Sequence, residues 1–374
     1  MGRPRSEVVI PHEVGCYHCV TRCTRQLFLL GYDPASESEN LGRWSFCESQ
    51  LEFLAGVFAV DILDYALLSN HVHTVIRIRP DIARRLSKRE LAWRWLTLHP
   101  GEKLKDGTYP EVTDEAVKIA MQNDELMAKA RKKLCCLSYF QKNFLEPIAK
   151  EMNFRDNVQG HFVAERFRCK RIEDEAALLV CSVYVSLNPF RAGLGAPIEA
   201  HPHASYSRRY RKTDTWISPL FLDERAQAYA DVTQVIEQDG KMVTVSQSNP
   251  FPSPRISEKG FLPLTWTQYQ VLVAWTATHL RPGQKTTWRD QPVDVPAEQA
   301  QILQKIGVTP ELWLDTVAHF EELFYNFVGM PQQLSEIARK LEQKFVKGQR
   351  ACAARFVPRP TTDEGGAAAD AVPT

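Results

Sequence analysis

Two histidines separated by a single residue, His71-Val72-His73, follow Asn70 in a stretch whose flanks alternate apolar and polar residues. If Asp61–Ser69 and His71–Ile78 are two strands joined at the tight polar turn Ser69-Asn70, alternate side chains share a face. His71 and His73 then point the same way, with Cα atoms about 6–7 Å apart, and two imidazoles at that spacing can share one metal ion. Neutral imidazole is the commonest protein metal ligand, so the pair suggests a cation held on the face of a sheet. A second pair stands about a hundred residues on, in Val183-Tyr184-Val185-Ser186-Leu187-Asn188-Pro189. Tyr184 and Asn188 are four apart and share one face of a helix. Pro189 disfavours helical backbone at the residue before it and so places Asn188 at or next to the helix end, where its amide can turn toward a ligand. Taken singly, each has a plainer reading: a core tyrosine with its hydroxyl satisfied, or an asparagine at a helix C-terminus. The combination with the histidines, and with Arg191-Ala192-Gly193-Leu194 directly after, is what suggests a site.

The elements that must position these residues follow from the same patterning. Val14–Arg22 alternates as a first strand, a polar loop spans Asp33–Asn40, and an amphipathic helix is expected at about Ser45–Phe58. After the histidine strands, Ile82–Trp95 and Asp114–Met152 read as helical around the loop His99–Pro110. A β-ribbon is expected at His161–Cys169 and a helix at Asp174–Asn188, closed by Pro189 and Gly193. The order β-α-β-β-α-β-α predicts an α+β fold, a ferredoxin-like antiparallel sheet with helices on one face. Residues 1–212, with a helical insertion at about 81–152, would form this domain. Residues 213–264 read as a Ser/Gln/Pro/Lys-rich linker, 265–350 as a helical accessory region, and 351–374 as a disordered tail. In the accessory region Trp313, Phe320, Phe324 and Phe327 recur at helical spacing, as expected of a buried face.

Composition sets the outer limits. The 374 residues, 44% hydrophobic and 24% charged, suit a globular protein of about two domains. No stretch approaches the roughly 20 apolar residues of a membrane span. An odd nine cysteines and no signal-peptide pattern suggest a cytoplasmic chain with reduced thiols. Cys16, Cys19 and Cys23 invite a metal reading, but on a strand Cys16 faces away from Cys19 and no fourth ligand accompanies them; buried thiols explain them better. The net charge of +1 selects no partner, yet cations gather in Arg79–Arg89, Arg131-Lys132-Lys133, Arg166–Arg171 and Arg208–Lys212, and acids in Glu311–Glu322. Any one such run suits a solvated face; several around a candidate site suggest a phosphate-rich ligand.

Asn70-His71-Val72-His73, followed by Tyr184-x-x-x-Asn188-Pro189-Phe190-Arg191-Ala192-Gly193-Leu194, resembles the HUH single-tyrosine transposases, and among them the REP-associated tyrosine transposases. Gly2-Arg3-Pro4, Tyr17-His18-Cys19-Val20-Thr21-Arg22 and Gly160-His161-Phe162 through Arg166-Phe167 extend the resemblance over about residues 1–200. It implies that His71, His73 and Asn188 hold Mg²⁺ or Mn²⁺, and that Tyr184 attacks a DNA phosphorus to leave a 5′-phosphotyrosine and a free 3′-hydroxyl. The substrate implied is single-stranded DNA beside a REP-like hairpin, acted on by a monomer or a homodimer. Arg3, Arg5, Arg166, Arg168, Lys170, Arg171, Arg191, Arg208, Arg209 and Arg211 are the expected DNA contacts, with Tyr210 available to stack on a base. Val163, Thr74 and Phe190 depart from the family pattern and bear on DNA specificity rather than on the chemistry. Histidine-triad hydrolases require a third histidine where Val75 stands, and two-histidine phosphoesterases require two His-x-Thr/Ser motifs where only one candidate region exists. The alternative that survives is a domesticated descendant that binds hairpin DNA without cleaving it.

Overall fold

The computed structural model describes residues 7–10, 12–33, 38–39, 42–195, 197–221, 232–238, 241–247, 254–280 and 293–356. Arg3, Arg5 and residues 357–374 of the expected tail lie outside this set; residues 351–356 do not, and Cys352 and Phe356 are fully buried.

Five strands form the central sheet: β1 (Gly15–Arg22), β2 (Val60–Leu67), β3 (His71–Ile78), β4 (Arg168–Ile172) and β5 (Phe327–Val328), in the spatial order β2-β3-β1-β4-β5. The first four pair antiparallel in the ferredoxin-like order, and β5 joins parallel to β4. The sheet is therefore mixed rather than antiparallel. The β2–β3 connection is short, closed by Leu68 N–H donating to the His71 carbonyl at 2.9 Å. Cross-strand pairing then fixes register at the histidines: His73 lies between Val20 of β1 and Ala66 of β2, and His71 opposite Arg22.

Helices cover both faces of the sheet, not one. Every residue of β2 is buried, so each face needs a cover. One face, carrying Tyr17, Cys19, Ile62, Tyr65, Val72 and Ile76, packs against α1 (Arg43–Val57) and α2 (Leu137–Arg155). The other, carrying Leu63, Ala66, Val75 and Ile172, packs against α3 (Glu175–Arg191) and the C-terminal segments α4 (Pro310–Ala318) and α5 (Phe320–Leu323). Between β3 and α2, shorter helices fill the insertion at Pro80–Arg85, Lys88–Leu98, Asp114–Met121 and Asp124–Lys133.

Three local expectations change. The stretch read as a β-ribbon meets β4 only at its last two residues, Arg168 and Cys169, with a lone bridge from Cys23 to Val163 before it. The stretch read as a linker contains the hairpin Val232–Gln238/Lys241–Gln247 and a packed segment: Asp61 accepts from Arg77 Nε (2.7 Å), Arg79 Nη1 (3.1 Å) and Ser257 Oγ (2.7 Å), while Arg77 donates to the carbonyls of Lys259 and Gly260. The helix expected through Phe327 breaks at His319 and gives way to strand at β5. Trp313, Phe320, Phe324 and Phe327 are nonetheless all buried.

Candidate active site

α3 is buried along nearly its whole length, as a helix apolar on every side must be. Asp174 caps it, accepting from Ala177 N–H at 2.9 Å, and the same carboxylate accepts from Met330 N–H at 2.5 Å, tying the cap to the residues just after β5. The helix runs past Pro189 to Arg191 instead of ending at Asn188. Gly193, at φ +75°, lets the chain turn back so that Leu194 N–H reaches the Pro189 carbonyl at 2.9 Å. Asn188 is thus held in the last turn, half-buried, its Nδ2 donating to the Tyr184 carbonyl at 3.1 Å.

The strand pleat brings His71 and His73 onto the face that α3 covers. Their ring centroids are 4.8 Å apart, and the His73 ring stands 5.6 Å from that of Tyr184, edge to face. The His71 Nδ1 contacts Asn70 Oδ1 at 2.5 Å, which leaves Nε2 as its outward nitrogen. Burial, with Arg22 beside it, lowers the His71 pKa to about 4. Burial and the neighbouring His71 and His18 push His73 well below its ordinary value as well, so both imidazoles are neutral at pH 7. His73 Nε2 is buried with no hydrogen-bond partner.

Tyr184 is only 7% exposed. Burial, reinforced by the Glu321 carboxylate, raises its phenol pKa, against a smaller opposing pull from Asn188 and Arg191. The Phe320 ring lies stacked over it at 5.1 Å.

Sequence reading missed three residues here. His18, on β1, is fully buried; its Nε2 meets His73 Nδ1 at 2.9 Å, with the two rings nearly parallel. Glu321, on α5, lies 3.4 Å from His18 Nδ1 and 3.1 Å from Lys170 Nζ. Arg22 sits opposite His71 on the same face, with its Nε buried and unpartnered. The period-two pattern of β1 puts His18, Arg22 and the histidine pair on one face once strand order is known. Nothing local marks Glu321.

The expected DNA-contacting cations divide sharply. Lys170 is buried against Glu321. Arg171 is buried on the opposite face, bonded to Glu173 (2.6 Å) and the Tyr17 hydroxyl (3.2 Å). Arg209 is buried, donating to Asp64 Oδ1 (2.5 Å) and to the carbonyls of Leu63 (2.5 Å) and Ser218 (3.0 Å). These three hold the fold, and no phosphate can reach them without displacing their partners. Arg208 pairs with Glu48 (2.8 Å), and Arg191 donates to the Ala318 carbonyl (2.9 Å). Arg166, Arg168 and Arg211 are exposed, Arg168 pairing with Glu165.

The nine cysteines are free thiols. Among the described residues no group of three or more His, Cys, Asp or Glu is arranged to hold a metal, and no helix is long and apolar enough to cross a membrane. A groove of about 1790 Å³ lies elsewhere, lined by Phe46, Trp93, Tyr109 and Phe154 among others; none of His18, His71, His73 or Tyr184 borders it.

No protein-family model matches the sequence, and no curated protein does. A structural match is to "Structure of the REP associates tyrosine transposase bound to a REP hairpin": 11% sequence identity, 57% of this chain and 87% of that chain covered, TM-score 0.31.

Proposed function

We propose that this chain cleaves and rejoins single-stranded DNA through a covalent tyrosine intermediate, with hairpin-forming DNA as the substrate. The observation that carries the reading is the convergence of His71, His73 and Tyr184, from a strand and a helix far apart in sequence, with the His73 and Tyr184 rings 5.6 Å apart.

The residues present suit a divalent ion. His73 offers a buried nitrogen with no partner, and the Asn70 contact turns His71 Nε2 outward; both rings are neutral, the state in which imidazole ligates. His71, His73 and the Asn188 amide oxygen would hold Mg²⁺ or Mn²⁺, a donor set of two nitrogens and one oxygen that suits Mn²⁺ at least as well. When bound, such an ion polarises a phosphate oxygen and orients the diester for in-line attack. Tyr184 Oη would form the new bond to phosphorus as the bond to the 3′ oxygen breaks. The phenol proton is lost and the departing 3′ oxygen gains one. One ester replaces another, so the reverse attack by a 3′-hydroxyl rejoins strands without ATP. Arg22, beside His71, would face the phosphate with a guanidinium, and the exposed Arg166, Arg168 and Arg211 would track the strand.

One observation favours the second reading, a chain that binds hairpin DNA without cutting it. Tyr184 lies beneath Phe320, so attack requires α5 to move aside. Incubation with labelled single-stranded hairpin DNA and Mn²⁺ or Mg²⁺, resolved on a denaturing gel, separates the two. A covalent adduct that vanishes in Tyr184→Phe and in His71→Ala supports cleavage. Specific binding with no adduct under either metal leaves the binding module.

A further inference from the structure

We infer that Glu321 and His18 are positioning residues for His73, forming a carboxylate–imidazole–imidazole chain that sets which nitrogen of His73 carries the proton. The inference rests on the metal site proposed above, and assigns to the C-terminal region a part in building it.

The proton count follows from the contacts. Lys170 Nζ lies 3.1 Å from the Glu321 carboxylate and also contacts the Glu321 main-chain carbonyl at 3.4 Å, so the carboxylate is held in place as an acceptor. It faces His18 Nδ1 at 3.4 Å, a charge contact rather than a hydrogen bond: His18 Nδ1 and Glu321 Oε1 are both buried with no hydrogen-bond partner. A carboxylate attracts an N–H and repels a lone pair, so Nδ1 is the protonated nitrogen of His18 and Nε2 the bare one. His18 Nε2 then accepts at 2.9 Å, which makes His73 Nδ1 the donor. A neutral imidazole carries one ring proton, so the Nε2 of His73 is left with a lone pair. That nitrogen is buried with no hydrogen-bond partner.

The arrangement has a physical purpose. A bare buried acceptor costs free energy unless a proton or a cation meets it, and the chain prevents His73 from curing the defect by moving its own proton to Nε2. Metal-ligating histidines characteristically donate their second N–H to an acceptor that fixes tautomer and ring orientation. Here that acceptor is another histidine, itself facing a carboxylate at 3.4 Å. The two rings are parallel within 3° and packed against Phe320 and Tyr184.

The test uses the full chain and two readouts. Nitrogen NMR of histidine-labelled, metal-free protein reports which nitrogen of His73 is protonated. Mn²⁺ titration followed by electron paramagnetic resonance reports affinity. The unsubstituted chain should show His73 with Nδ1–H and bare Nε2. Glu321→Gln and His18→Gln should each disturb that preference and weaken Mn²⁺ binding by about 10- to 100-fold, the range for loss of such outer partners. Glu321→Gln serves if His18→Gln does not fold. A His73 protonated on Nε2 in the unsubstituted chain, or a tautomer and Mn²⁺ affinity unchanged in the folded variants, overturns the relay alone. A chain that binds Mn²⁺ no better than its His71→Ala variant overturns the metal reading itself, and the positioning role with it.

Discussion

Arg209 was expected at a DNA phosphate and is found inside the protein, which makes Arg209→Ala a sharp test of the physical reasoning. Its guanidinium neutralises Asp64, a fully buried carboxylate, and satisfies two main-chain carbonyls, those of Leu63 and Ser218. Removing it leaves Asp64 with Ser205 Oγ at 2.9 Å as its remaining hydrogen-bond donor and strips a donor from each carbonyl. Breaking one side of a buried ion pair costs about 3–5 kcal/mol, far more than any exposed pair, because the survivor stays charged and out of water. We expect Arg209→Ala to lower urea-unfolding stability by that amount, whereas the exposed neighbour Arg211→Ala should stay within about 0.5 kcal/mol of the unsubstituted chain. Replacing both partners, Arg209→Met with Asp64→Leu, should recover much of the loss, since an apolar pair carries no stranded charge. DNA affinity, measured on the folded fraction, should fall for Arg211→Ala and hold for the double variant. An Arg209→Ala chain of undiminished stability that no longer binds DNA would refute the assignment.

Two further outcomes concern the frame around the site. His201, buried with Nε2 at 2.7 Å from the Leu67 carbonyl, has its pKa lowered to about 4, chiefly by burial. Above its unfolded value of about 6.5 it is neutral in both states; as pH falls from there toward 4 only the unfolded chain takes up the proton, so stability drops by about 1.4 kcal/mol per pH unit, about 3 kcal/mol in all. Unfolding curves of His201→Asn should show a shallower fall over that window, and an unaltered slope would discard His201 as its source. At Gly329, an added Cβ would lie 2.8 Å from Asp174 Oδ2 and 2.9 Å from Glu173 Cβ. Gly329→Ala should therefore cost about 1–3 kcal/mol in thermal or chemical unfolding by prying β5 from the α3 cap; a melting point equal to the parent's would show that the two can separate freely.

The sequence was most legible where structure is local. The strand at Val14–Arg22, the helix at about Ser45–Phe58 and the strand His71–Ile78 all stand within a few residues of expectation. The two-residue period that put His71 and His73 on one face needed only strand geometry. What escaped was long-range. Glu321 reaches His18 across some three hundred positions with no periodicity to announce it, and a two-residue strand such as β5 is too short to carry a pattern. Arg208, Arg209 and Arg211 are alike by type; only the partners Glu48 and Asp64, contributed by α1 and β2, decide which turn inward. The Pro189 ring restricts the residue before it, yet tertiary burial of α3 outweighs that local preference for nearly one further turn, to Arg191.

The parallel pairing of β5 with β4 sets an order of events in time. Arg171 and Ile172 find their strand partners in Phe327 and Val328, more than 150 positions later. During synthesis from the N-terminus, the edge of β4 must wait uncovered, with its main-chain groups unpaired, while the intervening residues emerge. Phe320 and Glu321 arrive in the same late segment, so the histidine pair and its tyrosine can assemble first and be closed over only at the end.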